Sequence, residues 1–247
     1  MKRKFVIFVS LLMSCLILFS NLVACKQEET GSDAVRQLYT DGVHVYNVSD
    51  STGNDYLVDA NGYSDYIIVI PENAGKWLQF AADELVLFFK EATNITLPVI
   101  YDSTVGSTDN GKYIVLGCDN LLFESSGLTA DKAVLDRHGF IIQTISDDIY
   151  IAGAYDDGTN FGVYAFLKVE FNYDCFSDSM YHIDTEVKNI KLKIYDVTDV
   201  PDLKVRFGGD WFHNNDTALR RMGFVNRTGR DTIIGSPSSH TVFTYLK

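Results

Sequence analysis

Few residues of this 247-residue chain stand in a pattern that could do chemistry. Two carboxylate doublets, Asp147/Asp148 and Asp156/Asp157, are the first candidates for acid–base work. Adjacent residues on a strand point to opposite faces, so neither doublet converges on one bond. Both also sit in connections between apolar runs, where Asp is favoured by turn and cap chemistry. His240, within Ser236-Pro-Ser-Ser-His-Thr241, is not part of the G-x-S-x-G elbow that presents a nucleophile between two glycines. No Asp or Glu is placed by sequence to orient its ring. His44 and His182 read as surface or hydrogen-bonded histidines. The glycines at 153, 158 and 162 lack the Gly-Lys-Ser/Thr that completes a phosphate loop. No C-x-x-C or Cys/His cluster suggests zinc. The sequence therefore assigns no catalytic residue, no metal ligand and no cofactor.

The thiol of Cys25 has a more specific setting. Lys2, Arg3 and Lys4 form a cationic start, and an apolar run follows from Phe5 to Phe19. That run falls short of the ~20 apolar residues that span a bilayer, and it has the length of a signal-peptide core. Leu22-Val23-Ala24-Cys25 then places small residues before a cysteine and resembles the bacterial lipobox. The expectation is a signal peptide over residues 1–24, a diacylglycerol on Cys25 and a tether over residues 25–40. The exported chain would then be held at the cell surface by lipid in a membrane. Burial of each methylene contributes about 0.8 kcal/mol, so several acyl chains anchor stably.

Charge narrows the partners. The formal net charge is −12, and loss of the three N-terminal cations takes it to −15. Such an acidic surface argues against nucleic acid and against adhesion to anionic headgroups. It suits neutral or cationic ligands. Only Cys118 and Cys175 remain after Cys15 and Cys25 are accounted for; they could pair or stay as free thiols.

The elements that must position any site follow from periodicity. Asp65-Tyr-Ile-Ile-Val-Ile70 reads as a buried strand ended by Pro71. From Ala74 to Thr93, Leu78, Ala81/Ala82, Leu85, Phe88/Phe89 and Ala92 recur at helical spacing, and Asn94 ends the helix. Leu97-Pro-Val-Ile-Tyr101 and Tyr113-Ile-Val-Leu116 read as further strands. Gly139 to Ile145 and Ile149 to Gly153 read as an antiparallel hairpin around Ser146-Asp147-Asp148. Asp156-Asp157-Gly158-Thr159 offers caps for a helix from Asn160 to Val169. Val187 to Tyr195, with apolar Val187, Ile190, Leu192 and Ile194 alternating along it, reads as a last strand that closes the unit. These elements make an α/β sandwich, a mixed sheet with helices packed on it, over residues 41–200. Pro201 marks a boundary, and the 47 residues from it to Lys247 are too few for a typical domain of their own.

Three segments carry a family resemblance. Ala81-Ala-Asp-Glu-Leu85 leading to Leu97-Pro-Val-Ile100 is similar to an A-x-E-L helix followed by an L-P-(I/V) strand. His138-Gly-Phe-Ile-Ile-Gln-Thr144, Asp148-Ile-Tyr-Ile-Ala-Gly153 and Gly158-Thr-Asn-Phe-Gly-Val-Tyr-Ala-Phe-Leu167 resemble a D-G-(F/Y)-x-I hairpin with G-T-x-(Y/F)-G-V-Y-x-F-L. Together they resemble the N-terminal α/β domain that precedes the catalytic barrel in bacterial α-glucuronidases and β-N-acetylhexosaminidases, as found in α-glucuronidase-like lipoproteins. His138, Asn160 and Lys168 depart from that pattern.

The resemblance implies that residues 201–247 are the truncated start of a (β/α)8 barrel. It implies an accessory module of a carbohydrate-processing lipoprotein, with oligo- or polysaccharide as partner; a carbohydrate-binding lipoprotein without hydrolase activity is the alternative. Catalytic carboxylates would lie on barrel strands further along, so the chain alone is expected to be inactive. Pro201-Asp-Leu-Lys-Val-Arg206 resembles the P-x-(F/L)-x-x-R lead-in to the first barrel strand, where an Arg holds sugar hydroxyls. Arg206 could do the same with its planar fork of donors, or form an ion pair at the junction. Trp211, His213 and Asn215 follow and could line a sugar pocket, although Trp211 could equally be core. His240 could face a ligand from the end of a second barrel strand.

Overall fold

A computed structural model describes residues 42–106, 111–177, 180–202 and 215–225. Eleven strands and five α-helices are present among them. In chain order they are β1 (Val43–Asp50), β2 (Tyr56–Val58), β3 (Tyr66–Ile70), α1 (Lys76–Thr93), β4 (Val99–Tyr101), β5 (Lys112–Leu116), α2 (Leu121–Ser126), α3 (Lys132–Leu135), β6 (Phe140–Ile145), β7 (Asp148–Gly153), α4 (Asp156–Phe171), β8 (Asp174–Cys175), β9 (Tyr181–His182), β10 (Ile190–Lys191), β11 (Lys193–Val200) and α5 (Asp216–Arg221).

Seven strands form the main sheet in the order β1-β11-β6-β7-β5-β3-β4. The run β7-β5-β3-β4 is parallel, and β6-β7, β11-β6 and β1-β11 are antiparallel. The fold is thus α/β with a mixed sheet, as its periodicities predict. Alternation sorts the strands between two cores. Ile68, Ile70, Ile114, Leu116, Ile149 and Ile151 meet the apolar stripes of α1 and α4. Val69, Tyr113, Val115, Tyr150 and Ala152 meet Phe123 of α2 and Leu135 of α3 on the opposite face. Both faces of these strands are apolar because helices cover both, the usual state of parallel strands.

Helix α1 ends where its sequence predicts. Asn94 takes a left-handed conformation (φ 62°) and donates its backbone N–H to the Lys90 carbonyl, the αL type of helix end. The β6–β7 hairpin has the expected antiparallel pairing, with Ser146 at φ 54° in its turn.

Two expectations need correction, and one open alternative is decided. Helix α4 starts four residues earlier than predicted, so Asp156 and Asp157 lie in its first turn and Thr159 inside it; Tyr155 is the cap residue and makes no side-chain cap bond. The Thr159 hydroxyl instead accepts from the Gly153 N–H at 2.9 Å. The predicted strand over Val187 to Tyr195 divides at Leu192. Its first part pairs with β2, and its second part, β11, joins the main sheet. Tyr195 and Val197 then face the α1/α4 core, whereas Ile194 points outward and is 41% exposed. Finally, Cys118 and Cys175 are both free. They pack against different cores on opposite faces of the sheet, which rules out a bond between them.

The glycines of the G-T-x-F-G motif have a packing reason. A Cβ on Gly158 would lie 2.2 Å from the Gly139 carbonyl oxygen, and one on Gly153 would lie 2.6 Å from the Gly158 Cα. Only hydrogen atoms at these positions let the start of α4 rest on the hairpin. Gly158→Ala is therefore expected to lower stability by about 2–3 kcal/mol or more through forced separation of backbone, read as a lower urea midpoint with an unchanged slope.

A buried acid lies at the other end of α4. Glu170 accepts a short hydrogen bond from the Tyr195 hydroxyl, and Lys193 Nζ is 3.7 Å from its second oxygen. Burial pushes its pKa up to about 7, against the opposing pull of Lys193 and Tyr195. Between the ordinary value of 4.5 and about 7, the folded state binds more proton than the unfolded state, so this group lowers stability as pH rises through that window. Glu170→Gln is expected to melt above the parent at pH 8, with the difference shrinking towards pH 5. Thermal melts of both proteins across that range check it.

Candidate functional site

The densest arrangement of charge lies where α5 rests on α1 and α4. Helices α1 and α4 both leave the same edge of the parallel strands, and residues three or four apart on each share a face. On α1 this brings Trp77, Ala81, Glu84 and Phe88 into one row. On α4 it brings Asp157, Asn160 and Tyr164 into another. Helix α5 carries Arg220 and Arg221 to this double row.

Arg220 donates from Nη1 to Asp157 Oδ1 at 2.6 Å, and its guanidinium lies 3.5 Å from the Trp77 ring centroid. Arg137 donates from Nε to the other Asp157 oxygen at 3.1 Å. One turn away, Arg221 grips Glu84 with two bonds of 2.6 and 2.8 Å. The Tyr164 hydroxyl also donates to Glu84 Oε2 at 2.9 Å, and Phe88 lies beneath the Arg221 guanidinium at 4.9 Å. Both carboxylates and Arg220 are buried. Two arginines, each paired with a carboxylate and seated on an aromatic ring, thus hold α5 at two points. The Asn215 side chain accepts from the Ala218 N–H at 3.0 Å and caps the start of α5.

This geometry suits docking and not acid–base catalysis. Burial raises the pKa of Asp157, but Arg220 and Arg137 outweigh it and hold the carboxyl below its usual range. A general acid needs the opposite shift and an open approach for substrate. Fully paired, Asp157 and Glu84 have no free oxygen to offer a sugar.

The crevice where open α/β sheets commonly bind ligands is also taken up by the chain itself. Strands β3 and β5 are neighbours whose connections leave for opposite faces, the arrangement that creates such a crevice. Here Asp102 accepts from the Glu72 and Leu121 N–H groups at 3.0 Å each, and Asn120 Nδ2 donates to the Val69 carbonyl at 3.1 Å. Asp156 lies over the start of α1 and accepts from the Leu78 N–H; its pKa is raised by burial and then by Asp157 and Asp119. Gly75 accommodates it, since a Cβ there would stand 2.6 Å from Asp156 Oδ2. Nearby, Cys118 edges a hollow of about 470 Å³ with Phe123, Leu128 and Asp131. Burial and Asp119 push that thiol up to about 11, so it is no nucleophile at neutral pH.

The other candidates fall as follows. Asp148 accepts from the Tyr113 N–H at 2.8 Å and Asp147 lies 3.6 Å from Lys112, so this doublet serves the hairpin and its neighbour strand. The doublet at 156 and 157 serves α1 and α5, and does not cap α4. His44 is 2.7 Å from Asp199, and His182 is 3.1 Å from Asp184. His138, a departure from the resembled motif, is buried edge-on to Phe161. Cys25, Arg206, Trp211, His213 and His240 lie outside the described residues. Among the described residues no group of His, Cys, Asp or Glu could hold a metal ion, and no helix is long and apolar enough to cross a membrane. Sequence reasoning missed Glu84, Asp157, Arg220 and Arg221 as a unit. A signal was available: Glu84 is an acid on the apolar stripe of α1, where burial demands a partner.

No family model matches the chain, and no curated protein matches it. Solved structures do. A family GH115 4-O-methyl-α-glucuronidase with specificity for decorated arabinogalactans is 14% identical over 46% of this chain and 14% of its own, with a TM-score of 0.34. The structure of CpGH84D matches over 66% of this chain and 24% of its own, at 8% identity and a TM-score of 0.41. The Streptomyces plicatus N-acetyl-β-hexosaminidase matches over 66% of this chain and 26% of its own, at 12% identity and a TM-score of 0.39. The chain thus spans about a quarter or less of the length of these structures.

The seam makes a measurable claim. Arg220→Ala would strand Asp157 in a buried site with Arg137 as its one remaining cation, at a cost of about 3 kcal/mol. Amides of residues 215–225 should then exchange with solvent far faster than in the parent, and adding Asp157→Asn should restore part of the loss. Because the Asp157 pKa is depressed on folding, its contribution is complete above the ordinary carboxylate range and disappears as acid drives pH through the lowered value.

Proposed function

We propose that this chain is the membrane-tethered N-terminal part of a glycoside-hydrolase-like lipoprotein, an accessory α/β module carrying the start of a catalytic barrel. The observation that carries the reading is the α5 seam. It lies past Pro201, at the predicted junction, and fastens the following segment to the helical face by two buried arginine–carboxylate pairs. A module that must carry a second domain in fixed orientation needs such a contact, because surface ion pairs alone are worth little. The 138–167 motif set supports the family, and the lipobox at Cys25 supports export and a surface location.

In this reading the module positions and the barrel reacts. Substrate would be an oligo- or polysaccharide outside the cell, held by groups beyond Pro201, with Arg206, Trp211, His213 and His240 as the residues to examine first. The seam's carboxylates serve α5, and none is left for the two-carboxyl chemistry of glycosidic cleavage.

Two measurements test the proposal. The 247-residue chain should show no hydrolysis of aryl-glycosides above the uncatalysed rate; turnover would refute the accessory role. Measurable glycan affinity of the chain on an array would instead favour a carbohydrate-binding lipoprotein. Cys25→Ser should abolish incorporation of labelled palmitate and move the protein from the membrane to the soluble fraction; retention of label would refute the anchor.

A further inference from the structure

Strand β1 is the outermost strand on its side of the sheet. It pairs with β11 through eight consecutive residues, from Val43↔Val200 to Asp50↔Lys193, without a bulge. Nothing among the described residues pairs with its outer side. Six of its eight residues are exposed, with Val45 at 38% and Tyr46 at 49%. Proteins commonly blunt an open edge with Lys, Pro, a bulge or a very short strand. The sequence Val43-His-Val-Tyr-Asn-Val-Ser-Asp50 has none of these devices.

We propose that β1 is a self-association edge that pairs antiparallel with β1 of a second copy of this chain, about a two-fold axis at Asn47. Every second residue of an edge strand turns its N–H and C=O away from its neighbour strand. An antiparallel partner must match outward groups with outward groups, so a two-fold axis has to pass through a residue and not between two. With Asn47 facing Asn47 of the second copy, His44 faces Asp50, Tyr46 faces Val48 and Val45 faces Ser49. Each contact occurs twice.

That register joins opposite charges and an aromatic–β-branched pair directly across the strands, the contacts that stabilise sheet pairing. Hydrogen bonds with Asp199 and Asp202 raise the His44 pKa and so favour the cation that would face Asp50. Asp50 already lies 3.3 Å from Lys193, and the new contact would extend this row of alternating charge. The neighbouring register, with Tyr46 on Tyr46, sets His44 against Val48 and leaves Asp50 beyond the paired strand. Charge complementarity thus selects the axis at Asn47. A single strand pair buries less than the ~1,600 Å² of a standard interface, so association should be weak and concentration-dependent.

Disulfide trapping tests it in membranes of cells that express the full chain. Facing residues of an antiparallel pair have Cα atoms about 4.5–5.5 Å apart, within disulfide reach. Asn47→Cys should form a dimer on a non-reducing gel several-fold above the background of the native cysteines. Val45→Cys alone should not, because its two copies would stand about 14 Å apart along the strand. A mixture of Val45→Cys and Ser49→Cys chains should form a mixed dimer. Equal trapping of Asn47→Cys and Val45→Cys would overturn the proposal. So would a bond within one chain between Asn47→Cys and Ser32→Cys, which would make residues 25–40 the occupant, or a bond to a different protein.

Discussion

The helical face of this protein is placed by the close approach of α4 to the β6–β7 hairpin. Gly139, Gly153 and Gly158 meet backbone to backbone, at separations that leave no room for a single added carbon. Gly162 continues the contact one turn further, since a Cβ there would lie 2.7 Å from Ile151. With α4 pressed so close, Phe166, Leu167 and Phe171 reach the core, and Asp157 and Tyr164 face α1. Glu84 of α1 then lies within hydrogen-bond reach of Tyr164, and the double row that receives α5 is complete. A shift of α4 by one ångström would stretch the Asp157–Arg220 pair and the Tyr164–Glu84 hydrogen bond beyond reach.

That dependence explains why the seam is built from charge. Two buried carboxylates cost several kcal/mol each unless paired, so the groove on α1 and α4 discriminates strongly in favour of a segment that brings two arginines at the right spacing. An apolar groove would accept many helices; this one accepts a cationic pair. Trp77 and Phe88 supply the ring faces on which a guanidinium can rest while its N–H groups reach a carboxylate. The same pairing that gives the groove its selectivity removes its carboxylates from catalysis.

The two halves of the sheet meet different fates. Over β3, β5 and β7 helices cover both faces, and every strand residue that points to a core is apolar. Towards β11 and β1 the cover thins, and polar rows replace the apolar ones: Asn47 and Gln143 both donate to Asp196 across three strands, at 3.2 and 2.8 Å. Stability at that edge rests on backbone pairing and polar ladders. This leaves β1 exposed on most of its length and suits it to further pairing.

How much of this was legible in the sequence follows from which interactions are local. Helical spacing of Leu78, Leu85 and Phe88 and the Asn94 stop gave α1, because one apolar stripe and one left-handed residue suffice to specify it. The Asp65 to Ile70 run and the hairpin around Ser146 were legible for the same reason. Strand β1 was not, since six of its eight residues are exposed and burial imprints little pattern on it. The start of α4 was misplaced because Asp156 and Asp157 look like caps for their own helix, yet one caps α1 and the other binds α5. The break at Leu192 depended on β2, more than 130 residues earlier. The glycines of the motif could be seen as conspicuous, but the backbone contact that requires them could not. By itself the sequence determined an acidic α/β chain, its principal helix and several of its strands. The tertiary structure alone decided which carboxylates are paired, which strand forms the edge and where α5 docks, because those outcomes depend on distances between residues far apart in the chain.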